Sequence, residues 1–193
     1  MRIMEYYRDN YENTVMEVLG EVEKALKAID PESVEKFVSA VLEADQVYFI
    51  GVGRVFLSLE AICKRFAHLG IKAHCVGEIT EPAITDKDLL IVGSGSGQSI
   101  VPLNIARKAK KIGAHIVHIG SNPNSDMKEL TDFMVRIPVR TKYYLADEID
   151  SGQPMTSLFE QSLLLFGDIC AKMMIEEKGI DLKELWQYHA NLE

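Results

Sequence analysis

Residues Val92 to Gly113 read VGSGSGQSIVPLNIARKAKKIG, joining an apolar strand to an amphipathic helix through three glycines and three serines in the seven residues from Gly93 to Ser99. Glycines let a backbone turn sharply and approach a ligand closely. The hydroxyls of Ser94, Ser96 and Ser99 can each donate a hydrogen bond, and free amides at the start of the helix favour an anion. The composition of Ser94, Gly95, Ser96, Gly97 and Ser99 is that of a phosphate cradle. No Gly-Lys-Ser/Thr follows, so a nucleoside triphosphate with magnesium is not indicated. A tight turn that merely connects strand to helix is the plain structural alternative.

The same strand, turn and helix alternation extends outward on both sides. QVYFI (46–50), KAHCV (72–76), DLLIV (88–92), HIVHI (115–119) and DFMVRI (132–137) are short, β-prone and nearly continuous in apolar character, as strands covered on both faces are. Helical stretches separate most of them: Phe56–Leu69 closed by Gly70, Ser99–Ile112 closed by Gly113, and a short turn over Asp126–Leu130. Short right-handed crossovers then give an α/β fold, a three-layer αβα sandwich around a five-stranded parallel sheet.

Two helices precede the sheet. Tyr7, Tyr11, Val18, Val22 and Ile29 recur at helical spacing along a stretch beginning at Ile3, and Asp30-Pro31 reads as an N-cap and first helical residue of a second helix ending near Glu43. After the last strand, residues 138–153 are irregular and read as a mobile loop or a lid. Pro154–Glu177 reads as a long helix broken by Gly179, before a short helix and the tail HANLE. The expectation is one domain over residues 1–193, with residues 1–45 a helical segment and 46–193 the α/β core.

Composition narrows the function classes. With 21 basic against 29 acidic residues the formal charge is -8, and no Lys/Arg block could neutralise a row of phosphates, which argues against nucleic acid. No apolar run is long enough to span a bilayer and MRIMEYYRDNYEN lacks a signal-peptide core, so no membrane association and a cytoplasmic location are expected. Cys63, Cys75 and Cys170 lack CxxC spacing, and His115 and His118 fall on opposite faces of their strand. Buried thiols and no metal are the expectation.

In open parallel sheets ligands bind beyond the carboxyl ends of the strands. Those ends here are GVGR (51–54), GEITEPA (77–83), GSGSGQS (93–99) and GSNPNS (120–125). Gly51, Gly53 and Glu78 mimic a dinucleotide fingerprint, but Phe56 stands where its third glycine belongs. Ser121 and Asn122 have turn chemistry that needs no ligand.

The Gly/Ser loop after a central parallel strand resembles that of sugar isomerase (SIS) domains, of flavodoxin-like fold. GVGR, RFAHLGIKAHCVGE, PAI, DLLIVGSGSG, KAKKIGAHIVHI, SNPNS, SGQPMTSLFEQSLL and HANLE together resemble the 6-phospho-3-hexuloisomerase family. The chain departs from that family's pattern at Val55 and Phe56 after Arg54, at Gln98 and Ser99, at Glu81, and at Thr156, where glycine is usual. The resemblance implies a cofactor-free isomerase converting 3-hexulose 6-phosphate to fructose 6-phosphate through an enediol. It also implies a homo-oligomer, dimer or tetramer, with shared active sites.

Glu160 in SLFEQ matches the base position of the family, and His189 matches the histidine of the terminal motif, which related enzymes supply from the neighbouring subunit. An acid favouring a helix N-terminus and a tail histidine capping a helix are their structural alternatives. Gly53, Arg54 and Glu78 carry over as groups facing the sugar, although Arg54 could equally pair with Glu78 or Glu81. An isomerase for another ketose or aldose phosphate, and a non-catalytic phosphosugar sensor, are the competing readings.

Overall fold

The computed structural model describes residues 2–192, with side chains from Glu5 onward. Ile3, at the head of the expected stripe, and Glu193, the last residue of HANLE, lie outside the described side chains. The elements run α1 (Arg2–Lys27), α2 (Pro31–Glu43), β1 (Val47–Ile50), α3 (Gly53–Ala67), β2 (Ala73–Cys75), β3 (Leu89–Gly93), α4 (Ile100–Ile112), β4 (His115–Gly120), β5 (Phe133–Arg136) and α5 (Ser157–Lys178). Short 3-10 turns occupy Asp126–Glu129 and Glu184–Tyr188.

All five strands are parallel, in the order β2-β1-β3-β4-β5. Because successive side chains in a strand face opposite ways, the central strands feed two cores. Val47, Phe49, Leu89, Ile91, Val117 and Ile119 pack toward α1, α2, α3 and α5, whereas Tyr48, Leu90, Val92 and Ile116 pack toward α4. The chain leaves β1 toward one edge and β3 toward the other. The carboxyl ends of these neighbours therefore form the topological switch point where a crevice opens.

Local signals explain most boundaries. Asp30 caps α2 by accepting from the Glu32 amide at 3.2 Å with Pro31 in the first turn, and Gly113 and Gly179 end α4 and α5 in the left-handed conformation. Two helix starts differ from the sequence expectation. Helix α3 begins at Gly53, not Phe56, because Gly53 takes φ +59 and turns the chain directly into the helix, leaving Arg54 in its first turn. Helix α5 begins at Ser157, since Pro154–Thr156 form a turn in which Met155 takes φ +53.

The α1 stripe is only half covered. Val22, Ala25 and Ile29 are buried, while Tyr6, Tyr7 and Tyr11 are each about two-thirds exposed, at 65%, 67% and 70%. The three cysteines are buried free thiols. No described helix is long and apolar enough to cross a membrane.

Candidate functional site

A cavity of about 660 Å³ opens at the switch point. Its floor is Gly93, Ser94, Gly95 and Ser96, one wall carries Arg54 and Val55 from α3, the opposite wall carries Thr156, Phe159 and Glu160 from the start of α5, and Thr141 and Lys142 close a third side. Three helix N-termini, those of α3, α4 and α5, thus end around one space. Their aligned peptide dipoles and unpaired first-turn amides make it favourable for an anion. Pro102 in the first turn of α4 has no N–H, so the free donors of that helix come from its very start.

The serine loop is held from beneath. Ser94 Oγ donates to Ser99 Oγ at 3.2 Å and accepts from the Gly97 amide at 3.1 Å, while Ser96 Oγ accepts from the Gln98 amide at 3.3 Å. The Gly95 carbonyl accepts from the amides of Ser121 and Asn122, and Asn122 Nδ2 donates to the Ser96 carbonyl. Gln98, which replaces an acid in the resembled pattern, donates to Asp126 at 3.1 Å and ties the loop to the turn after β4. Asn122 and Ser121 thus have a structural task.

His118, buried in β4, sits under the same loop with Nε2 2.8 Å from the Ser94 carbonyl. Burial drives its pKa down to about 4 against the weaker opposing pull of that hydrogen bond. The ring is neutral at pH 7, and because a carbonyl only accepts, Nε2 carries the proton and donates. A side chain at Gly120 would collide with this ring, and one at Gly97 would collide with the Ser125 side chain.

Glu160 is buried and faces the cavity. Its Oε1 accepts from Thr156 Oγ1 at 2.8 Å and its Oε2 accepts from Arg54 Nε. Arg54 therefore pairs with Glu160 and with neither Glu78 nor Glu81. Glu81 instead closes its own loop by accepting from the Gly77 amide at 2.6 Å. Thr156 takes a part that sequence reading did not assign to it, fixing the rotation of the carboxylate.

The 138–153 segment, expected to be a mobile loop or a lid, is tied down by a dense set of hydrogen bonds. Glu148 accepts from the Thr141 amide (3.0 Å), the Leu145 amide (2.9 Å), Thr141 Oγ1 (2.8 Å) and Ser121 Oγ (3.1 Å), and Val139 bridges Ile149. Further along, Glu21 of α1 accepts from Ser151 Oγ (2.6 Å), the Gly152 amide (2.7 Å) and Gln153 Nε2 (2.9 Å). Burial raises the pKa of Glu21, but these bonds and the charge of Arg140 outweigh it and hold the carboxyl below its usual range. The long first helix thereby fixes the approach to α5 and Glu160.

A larger groove of about 830 Å³ runs between α2 and α5. Its charged lining is Glu35, Glu43 and Glu177, which repels an anion, so it is no rival for a phosphate.

Residues 41–165 match the SIS domain family. The chain belongs to the SIS-domain family. Among the curated relatives named 3-hexulose-6-phosphate isomerase are two that match nearly the whole chain. The one from Bacillus subtilis is 35% identical over 179 residues, covering 93% of this chain and 97% of its own. The one from Mycobacterium gastri is 35% identical over 185 residues, covering 96% and 92%. A Methanococcus jannaschii crystal structure, described as inferring a molecular function of 3-hexulose-6-phosphate isomerase, superposes with a TM-score of 0.80 at 28% identity, covering 94% of this chain and 99% of that one.

Within this SIS domain, the serine loop, Arg54 and Glu160 come together at one cavity, and Gly53 sets the start of the helix that brings Arg54 there. Glu78 lies in the exposed loop after β2, outside the cavity lining. His189 lies elsewhere too, in a separate cavity with Arg65, His68 and Trp186, its ring stacked on His68 at 5.3 Å between centroids. Thr141, Lys142, Thr156 and His118 went unassigned at the sequence level. The first two stand in a segment without periodicity, and the partner of His118 is a carbonyl in the loop after another strand.

Proposed function

We propose that this SIS domain is a phosphosugar isomerase, acting on 3-hexulose 6-phosphate to give fructose 6-phosphate, with the whole chain working as one unit. The observation that carries this reading is a buried carboxylate, Glu160, held by two hydrogen bonds across one cavity from a hydroxyl-rich anion cradle. The relatives of similar length that bear the isomerase name supply the substrate.

The chemistry follows from the carbon framework. Glu160 takes the proton from C2 of the 3-ketose, electrons flow into the C2–C3 bond, and the C3 carbonyl becomes one oxygen of an enediolate. The proton then returns at C3 while the oxygen on C2 becomes the new carbonyl, so the hydroxyl proton moves from O2 to O3. One carboxylate serves both transfers. Arg54 lies beside it to offset the negative charge on the enediolate oxygens, and the serine loop with the surrounding helix ends holds the phosphate.

His189 is assigned to the hydroxyl proton transfer in the site of a neighbouring subunit, which fits its distance from the cavity of its own chain. The uncovered tyrosines of α1 offer an apolar surface for such an assembly. The test is conversion of 3-hexulose 6-phosphate to fructose 6-phosphate, coupled to detection of the product. Turnover on the order of 1–1000 per second supports the reading, and tight sugar-phosphate binding without turnover replaces it with a sensor.

A further inference from the structure

The charged groups around the cavity do not balance. Its lining contains two cations, Arg54 and Lys142, and one carboxylate, Glu160. Arg54 is already committed to that carboxylate. Among the described residues no ion pair involves Lys142, even though the chain carries 29 acidic side chains. Its ammonium rests over the Tyr143 ring, 5.2 Å from the centroid. The cavity is thus left with one uncompensated positive charge, on an exposed and rotatable side chain.

The backbone that carries this lysine is built. Thr141, the preceding residue, is buried and clamped through its amide and hydroxyl by Glu148, and its Oγ1 and carbonyl accept from the Tyr143 and Tyr144 amides. Thr141 also packs over the serine loop, since a Cβ on Gly95 would lie 3.6 Å from Thr141 Cγ2. Lys142 therefore starts from a fixed point at the lip of the anion cradle.

We propose that Lys142 is the specificity-determining residue for the phosphate: on binding it leaves the Tyr143 face and pairs with the phosphate dianion, so that the site selects phosphorylated over unphosphorylated sugars. This rests on the phosphosugar reading of the same cavity but not on turnover. Hydroxyls and amides tolerate either a phosphate or a neutral polar group. An ammonium with no carboxylate partner among the described residues rewards only the anion. The pinned 138–149 segment then acts as a rigid mount with a mobile side chain.

The experiment is calorimetric binding of fructose 6-phosphate, fructose and inorganic phosphate to wild type, Lys142→Met and Lys142→Arg, beside steady-state kinetics. Lys142→Met is expected to weaken fructose 6-phosphate and inorganic phosphate by about tenfold or more, to leave fructose unchanged, and to raise KM with little change in kcat. Lys142→Arg is expected to recover most of the affinity, which a misfolded loop would not. The affinity of wild type should fall more steeply with salt than that of the Met variant. Equal fructose 6-phosphate binding by wild type and Lys142→Met overturns the proposal, as does a loss confined to kcat. If wild type binds fructose 6-phosphate through Lys142 yet never turns it over, the isomerase reading fails while the phosphate assignment stands.

Discussion

His118 shows how a single side chain ties the anion loop to pH. Above about pH 6.5 the imidazole is neutral in both folded and unfolded chains, so it adds no pH dependence. Below that value the unfolded chain takes up a proton, whereas the folded chain resists until about pH 4 because the ring is buried. Stability is therefore full above 6.5 and declines as pH falls toward 4, by about 3 kcal/mol in all. Urea unfolding at pH 7 and pH 5 checks this: His118→Gln, which keeps a donor toward the Ser94 carbonyl, should lose less stability between the two pH values than wild type. Equal losses would mean that the ring titrates normally. At this scale the serines and Glu160 were legible because their residue types and local motifs carry their chemistry. His118 was read only as facing away from His115, and its partner, the Ser94 carbonyl, depends on two strands being paired. Thr156 was noticed only as a departure and gained its meaning once α5 was seen to start at Ser157, which leaves Thr156 just ahead of the helix and four residues before Glu160.

Among the elements, the contact of α3 with α5 sets the distance between Arg54 and Glu160. Gly167 lies in the middle of α5, where glycine costs about 1 kcal/mol of helix propensity relative to alanine. A Cβ there would overlap the side chain of Ile62, which is buried and β-branched. Gly167→Ala is therefore expected to lower the melting temperature in spite of its better propensity, with overpacking costing about 1–3 kcal/mol. Adding Ile62→Ala should return part of the loss, and a thermal melt that rises with Gly167→Ala alone would refute the close approach. The five-stranded parallel sheet between helices could be read from the alternation of short apolar strands with capped helices, whereas the strand order β2-β1-β3-β4-β5 could not, because it depends on which distant segments pair. The pinning of residues 138–153 could not, because its determinants, Glu21 and Glu148, are single acids whose bonds to distant backbone leave no periodic trace.

At the scale of the whole molecule, one chain supplies the anion cradle, the carboxylate and both cations, while His189 sits apart from them. The proposal that sites are shared between subunits predicts this arrangement. Glu160→Gln and His189→Ala variants, each with little activity alone, should regain turnover when unfolded together and refolded as a mixture, since mixed assemblies contain sites with both native residues. No recovery, in mixtures shown to contain hybrid assemblies, would assign His189 a structural role beside His68 and Trp186. The exposed α1 tyrosines belong to the same account, because this 26-residue helix buries Val22 and Ala25 near its C-terminal end while Tyr6, Tyr7 and Tyr11 in its N-terminal half stay exposed.

The measurement closest to the central claim is kcat of Glu160→Gln on 3-hexulose 6-phosphate, taken beside its affinity for fructose 6-phosphate. The amide keeps the size of the side chain and its bond from Thr156 but cannot accept a carbon-bound proton. The account predicts a fall in kcat of roughly 10²–10⁴-fold with sugar-phosphate binding retained. A variant that turns over at the rate of wild type would contradict it and remove Glu160 as the base.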